Sequence, residues 1–205
     1  MDTDGVARAT MQKALGQLAV EGLLSMTPRG TFVSSAQMAP SGYDSLLRAL
    51  RSGSVLADGE TCTVTDAALV KPPVYVADIL DLRDGERVVR RQWHTGRGQH
   101  RLALIVSWYP DFTGVAPDLL STGASTAPRI LRTVIDATGR RPTGSRDDIH
   151  GRECDAREAS YLGLRVGAPI TATAHRLWDE TGVIAYEERC LPTRHTMSFE
   201  YEIPA

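Results

Sequence analysis

Two strand–turn–strand runs constrain this chain more than any other feature. Residues 87–94 and 101–109 flank Gly96-Arg97-Gly98, and residues 170–178 and 183–191 flank Asp179-Glu180-Thr181-Gly182. Short connections of that composition fold each pair back on itself as an antiparallel hairpin. Further strands are predicted at 62–65, 148–154 and 197–203. Helices are predicted at 43–51 and from Pro72-Pro73 through Leu80, proline being tolerated in a first turn. Another is predicted at 128–137, with Ile130, Leu131, Val134 and Ile135 on one side. Asp155 caps a short helix through Leu162, with Arg157-Glu158 in its first turn. Hairpins dominate, so the expected fold class is α+β, a mainly antiparallel sheet with helices packed on one face.

Composition narrows what such a sheet can serve. The chain has 205 residues, enough for one or two domains, and a formal net charge of -2. No overall basic field draws it to nucleic acid or membrane, so any DNA contact needs a local patch. Cys62, Cys154 and Cys190 are widely spaced, which argues against a disulfide framework and fits a reducing cytosol. There is no apolar run of bilayer length and no signal-peptide core, so a cytoplasmic protein without a membrane partner is expected.

The first 35 residues have their own pattern. Met11, Ala14, Leu15, Leu18 and Gly22 fall on one helical face, with Arg8, Gln12, Lys13 and Gln17 away from it. Thr10 suits the helix start and Gly22 its end. Two short strands follow, at 23–26 and 31–33, around Thr27-Pro28-Arg29-Gly30. A helix presenting Arg, Gln and Lys can enter a DNA major groove, and an Arg at a hairpin tip can reach an adjacent groove. An amphipathic helix and hairpin of any α+β protein would show the same periodicity. Residues 36–42 are small, polar and breaker-rich, and read as a linker.

The order of residues separates these readings. Arg8-Ala9-Thr10-Met11-Gln12-Lys13-Ala14-Leu15, then Leu18, Glu21-Gly22-Leu23-Leu24 and Arg29-Gly30-Thr31-Phe32-Val33 resemble the winged helix-turn-helix of GntR-family repressors. The resemblance implies DNA contacts from Arg8, Thr10, Gln12, Lys13, Arg29 and Gly30. Ala7 stands where that family usually has Ser, and the wing carries one glycine where two are common. The two helices that support the recognition helix in the family do not precede it here. Residues 1–35 are therefore expected to be a recognition helix and wing only. Their basic Arg8, Lys13 and Arg29 are balanced by Asp2, Asp4 and Glu21, leaving little counterion release to hold DNA. These 205 residues are expected to bind operator DNA weakly or not at all, with the helix either mobile or hiding Met11, Leu15 and Leu18 against the larger domain or a dimer mate.

Residues 43–203 resemble the UTRA domain, the ligand-sensing domain of the HutC subfamily of GntR regulators. The resemblance lies in residues 73–82, in Gly85-Glu86-Arg87-Val88-Val89-Arg90-Arg91 and in Ser107-Trp108-Tyr109-Pro110. It continues through Glu158-Ala159, Leu162-Gly163-Leu164, Gly167-Ala168-Pro169-Ile170 and Phe199-Glu200-Tyr201. It implies a chorismate lyase-like fold over 43–205, dimerisation through that domain, and a regulator, in this reading a repressor, that responds to a small anionic metabolite. Two other readings stay open: a stand-alone ligand-binding module that has lost DNA binding, and a chorismate lyase-like enzyme.

Candidate ligand contacts follow. Arg90 and Arg91 lie mid-strand, one toward each face. A strand arginine is a sheet-surface or ion-pair residue, or a fork for carboxylate or phosphate; the resemblance favours the fork. It also marks Ser107 and a glutamate on the 183–191 strand. Alternation puts one of Glu187 and Glu188 inward without saying which. Arg152 and Arg176 are further candidates, and Tyr109, Trp93 and Trp108 suit core or pocket wall. Ile105 replaces a common family glutamate. There is no G-x-S-x-G, P-loop or C-x-x-C, and the five histidines lack metal-ligand spacing. No catalytic residue, metal or cofactor is expected.

Overall fold

The computed structural model describes residues 7–20, 24–27, 30–33, 37–98, 100–123, 127–197 and 199. In chain order these form α1 (Arg8–Val20), β1 (Leu24–Thr27), β2 (Gly30–Val33), β3 (Gln37–Met38), α2 (Gly42–Ser52), β4 (Thr61–Val70), α3 (Val74–Ile79), β5 (Val88–Arg97) and β6 (His100–Pro110). Then come α4 (Ile130–Thr138), β7 (Gly144–Glu153), α5 (Ala156–Leu162), β8 (Pro169–Asp179), β9 (Gly182–Pro192) and β10 (His195–Thr196), with 3-10 turns at Pro117–Leu120 and Ala127–Arg129. The chain divides into two compact units, Met1–Ala39 with Thr193–Ala205, and Pro40–Pro192.

In the first unit β1 and β2 pair as an antiparallel hairpin, Leu24 opposite Val33. Gly30 holds φ 137, a conformation that costs a residue without Cβ little. Gln37–Met38, inside the segment read as linker, pair in parallel with His195–Thr196, and the Ala39 N–H donates to the Thr196 carbonyl. The two units divide after Ala39 and after Pro192. Most of the strand expected at 197–203 lies outside the described residues.

The second unit is built on a six-stranded antiparallel sheet in the order β4-β5-β6-β9-β8-β7. The two hairpins that the sequence announces, β5/β6 and β8/β9, are joined edge to edge by β6 and β9. Directly opposed residues of antiparallel strands share a face. One register row therefore runs Arg91, Ser107, Glu187, His175, Asp147 across five strands. The adjacent row, Gln92, Val106, Glu188, Ala174, Asp148, lies on the opposite face.

Helices cover both faces, not the one face expected. Residues 102–109 of β6 are buried without interruption, a pattern that demands cover on each side. Leu46 of α2 and Ile130 and Val134 of α4 pack with Val89, Tyr109 and Leu177. Val76 and Leu80, in and just after α3, pack with Val88, Val106 and Trp108, and Ala159 and Leu162 of α5 with Leu104 and Ile170. Capping boxes fix where two of these helices begin. Ser41 and Asp44 exchange hydrogen bonds at α2, and Asp155 and Glu158 do so at α5.

Candidate functional site

The face that carries Ser107, Glu187 and His175 holds a cavity of about 500 Å³, counting solvent at its mouth. Leu46, Trp93, Tyr109, Ile130, Leu131 and Leu177 supply most of its apolar wall. Its polar wall is Ser45, Ser107, His175, Glu187 and Arg189. A largely apolar pocket with a few convergent polar groups is the usual form of a small-molecule site.

The polar groups form two chains. In the first, Trp93 Nε1 donates to Ser107 Oγ at 2.9 Å, and Ser107 Oγ donates to Glu187 Oε2 at 3.0 Å. Arg189 Nη2 donates to Glu187 Oε1 at 2.8 Å, and its Nη1 donates to the Pro40 carbonyl at 3.0 Å. Burial, and then the nearby Glu187 carboxylate, push the Tyr109 hydroxyl pKa up. In the second chain, His175 Nδ1 lies 2.9 Å from Asp147 Oδ1, while the Tyr43 N–H donates to Asp147 Oδ2 at 3.3 Å. Burial alone would raise the Asp147 carboxyl; the hydrogen bonds from His175 and from the Tyr43 N–H outweigh it and hold the pKa below the usual range. His175 Nε2 is buried and has no hydrogen-bond partner among the described residues.

The N-terminus of α2 rests on this pair. A Cβ on Gly42 would lie 2.2 Å from His175 Nδ1 and 2.4 Å from Asp147 Oδ1. No side chain fits there without moving the pair or the helix.

Of the residues singled out in sequence, Trp93, Ser107, Tyr109 and Glu187 line the cavity. Glu188 faces away, accepting from Tyr75 Oη at 3.1 Å and Trp108 Nε1 at 3.1 Å. Arg90 also faces away. It pairs with Asp66 at 2.7 Å, donates to Gln92 Oε1 at 2.8 Å and lies over the Trp108 ring. Arg176 is on that same far face, opposite Tyr186, with its Nε buried and unpartnered among the described residues. Arg152 forms a two-pronged pair with Glu158, at 2.7 and 2.6 Å. Arg91 is on the cavity face but does not line the cavity. It is 1% exposed, lies beneath the 3-10 turn, and gives Nη1 to the Asp118 and Leu119 carbonyls. In the other unit Arg8, Thr10, Gln12 and Lys13 are exposed on α1, Gly30 is exposed at the start of β2, and Arg29 lies outside the described residues.

Sequence reading missed Gly42, Ser45, His175, Asp147 and Arg189. Arg189 was legible in part, since two residues beyond Glu187 on a strand is the same face. The His175–Asp147 pair carried no local signal, because it depends on the register of β7 against β8.

The chain matches the UTRA domain family over residues 59–196. No curated protein matches it. Among solved structures, PhnF from Mycobacterium smegmatis is 20% identical with a TM-score of 0.64, covering 97% of this chain and 87% of PhnF. The possible transcriptional regulator YydK from Bacillus subtilis is 20% identical with a TM-score of 0.61, covering 96% of this chain and 84% of its own. The C-terminal domain of the histidine utilization repressor from Pseudomonas syringae is 18% identical with a TM-score of 0.58, covering 70% of this chain and 99% of that domain. At these identities the likeness is one of fold.

Proposed function

Because this chain belongs to the UTRA domain family, we propose that it is an effector-responsive, DNA-binding transcriptional regulator of the GntR type, HutC subfamily, acting as a homodimeric repressor. The observation that carries the reading is the cavity of the second unit, with its apolar wall and inward-facing Ser107, His175, Glu187 and Arg189. Fold likeness to proteins described as transcriptional regulators supports it. So does α1, which presents Arg8, Thr10, Gln12 and Lys13 to solvent ahead of a β-hairpin. In this reading a small molecule fills the cavity and shifts the balance between two spacings of the DNA-reading segments in a symmetric dimer. Effector and operator then oppose each other through one coupling free energy.

The anionic effector expected from Arg90 and Arg91 gains no support from where they lie, since neither lines the cavity. The function is tested by a thermal-shift screen of metabolites, followed by gel shifts on the DNA upstream of the protein's own gene at about 0.1 M salt, with and without each stabilising compound, using a version of the chain extended upstream of residue 1 beside the 205 residues. The reading requires a compound that raises the melting temperature and changes DNA affinity. A stabilising compound that leaves DNA affinity unchanged would reduce the protein to a ligand-binding module.

A further inference from the structure

The charges around the cavity are arranged against an anion. An anionic ligand needs an uncommitted cation or an open helix N-terminus. The N-terminus of α2 is already taken by carboxylates of this chain. Asp44 accepts from the Ser41 N–H and from Ser41 Oγ, and Asp147 accepts from the Tyr43 N–H. Arg189, the cation in the cavity wall, is already paired with the Glu187 carboxylate through Nη2, which also reaches Ser45 Oγ, and gives Nη1 to the Pro40 carbonyl. Arg48, one turn beyond Ser45, does not line the cavity and turns Nε and Nη2 to the Val55 carbonyl and Ser45 Oγ. Arg91 keeps an Nη2 without a partner among the described residues, but lies under the turn at Pro117–Leu120 and outside the cavity wall.

What the cavity offers is acceptors. His175 is 9% exposed, lines the cavity, and has a buried Nε2 without a partner among the described residues. Its Nδ1 is held by the Asp147 carboxylate, which can only accept, so a neutral imidazole here presents Nε2 as an acceptor. Glu187 has one protein donor on each oxygen, and a carboxylate can accept more.

We propose that this cavity selects an uncharged or cationic molecule with an apolar body, whose N–H or O–H groups donate to His175 Nε2 and Glu187, and that it rejects carboxylates and phosphates. The proposal rests on the cavity being the sensing site and narrows the chemistry that site takes. Polar specificity comes from buried acceptors that only a donor can satisfy.

The test is a thermal shift of the 205-residue protein at pH 8. The probes are benzamide, benzylamine, benzoate and inorganic phosphate, each at about 10 mM. Benzamide or benzylamine is expected to raise the melting temperature by about 2 °C or more, with benzoate and phosphate shifting it by less than about 0.5 °C. Glu187→Gln, which releases Arg189 from its carboxylate, is expected to lose the benzylamine shift and gain one with benzoate. A larger shift of the unaltered protein by benzoate or phosphate overturns the charge selection and leaves the cavity as a sensing site. No shift with any of the four probes, or a ranking that Glu187→Gln leaves unchanged, overturns the cavity as the place of binding, and with it the sensor reading.

Discussion

Arg189 Nη2 and Glu187 Oε1 lie 2.8 Å apart on one face of β9, with side-chain exposures of 7% and 18%. The pair neutralises a guanidinium that would otherwise stand alone in an apolar wall. Removing one partner of a buried pair leaves the other unpaired, which costs about 3–5 kcal/mol; removing both costs far less. Arg189→Met is therefore expected to destabilise strongly, and adding Glu187→Gln to restore part of the loss. Urea unfolding of the two single variants and the double variant measures the coupling; additive effects would mean that the pair does not act as one unit.

Gly42→Ala is expected to distort the cavity without touching its acceptors chemically. The added Cβ would overlap the His175 ring and the Asp147 carboxylate, so α2 or the pair must shift. A loss of about 1–3 kcal/mol in stability is expected, as for overpacking, with ligand-induced melting shifts reduced. A variant of native stability and native ligand response would show that α2 is not held against the pair.

Arg91→Met is expected to be tolerated better than Arg91→Ala. The guanidinium has no carboxylate partner among the described residues and donates to backbone carbonyls; burial pulls its pKa down. An apolar side chain of similar length fills the same space without a buried charge, whereas alanine leaves a hole costing about 2–5 kcal/mol. Melting temperatures of the two variants decide between packing and charge as the role of Arg91.

The Arg152–Glu158 pair sets an acid limit. The Arg152 hydrogen bonds, outweighing burial and helped by the Asp155 N–H, lower the Glu158 pKa to about 2 from a reference value of 4.5. A depressed carboxylate contributes stability that is fully present above the unfolded value and is lost as pH falls through the folded one. Stability is therefore expected to fall between about pH 4.5 and 2 from this group. Glu158→Gln should flatten that part of the pH profile and cost about 2 kcal/mol at pH 7, the range for a charge-assisted hydrogen bond. Circular-dichroism melts across pH 2–7 provide the comparison.

A homodimer is expected at tens of micromolar by sedimentation velocity, because a palindromic operator calls for a two-fold symmetric protein. A monomer throughout that range would remove the geometric basis of the proposed switch.

The sequence by itself determined the local elements. The glycine-rich stretch ending at Gly98 and the Asp179–Gly182 turn marked the two long hairpins, although Gly96 and Arg97 themselves pair within β5, and Asp155 with Glu158 fixed the start of α5. These signals are short-range: a turn needs residues that tolerate its dihedrals, and a cap needs a side chain within three residues. Alternation likewise determined that Glu187 and Glu188 face opposite ways. It could not say which faces the cavity, because a period of two is silent about which side α2 and α4 will cover. Tertiary structure decided that Glu187 faces inward with Arg189, and that Arg90 points to the far face while Arg91 is closed over by Pro117–Leu120. It also brought Asp147, 28 residues before His175, to within 2.9 Å of the ring and set Gly42 on both. That meeting depends on the register of β7 against β8 and on helix packing. Both are fixed by backbone hydrogen bonds and burial across the whole sheet, and no stretch of local sequence encodes them.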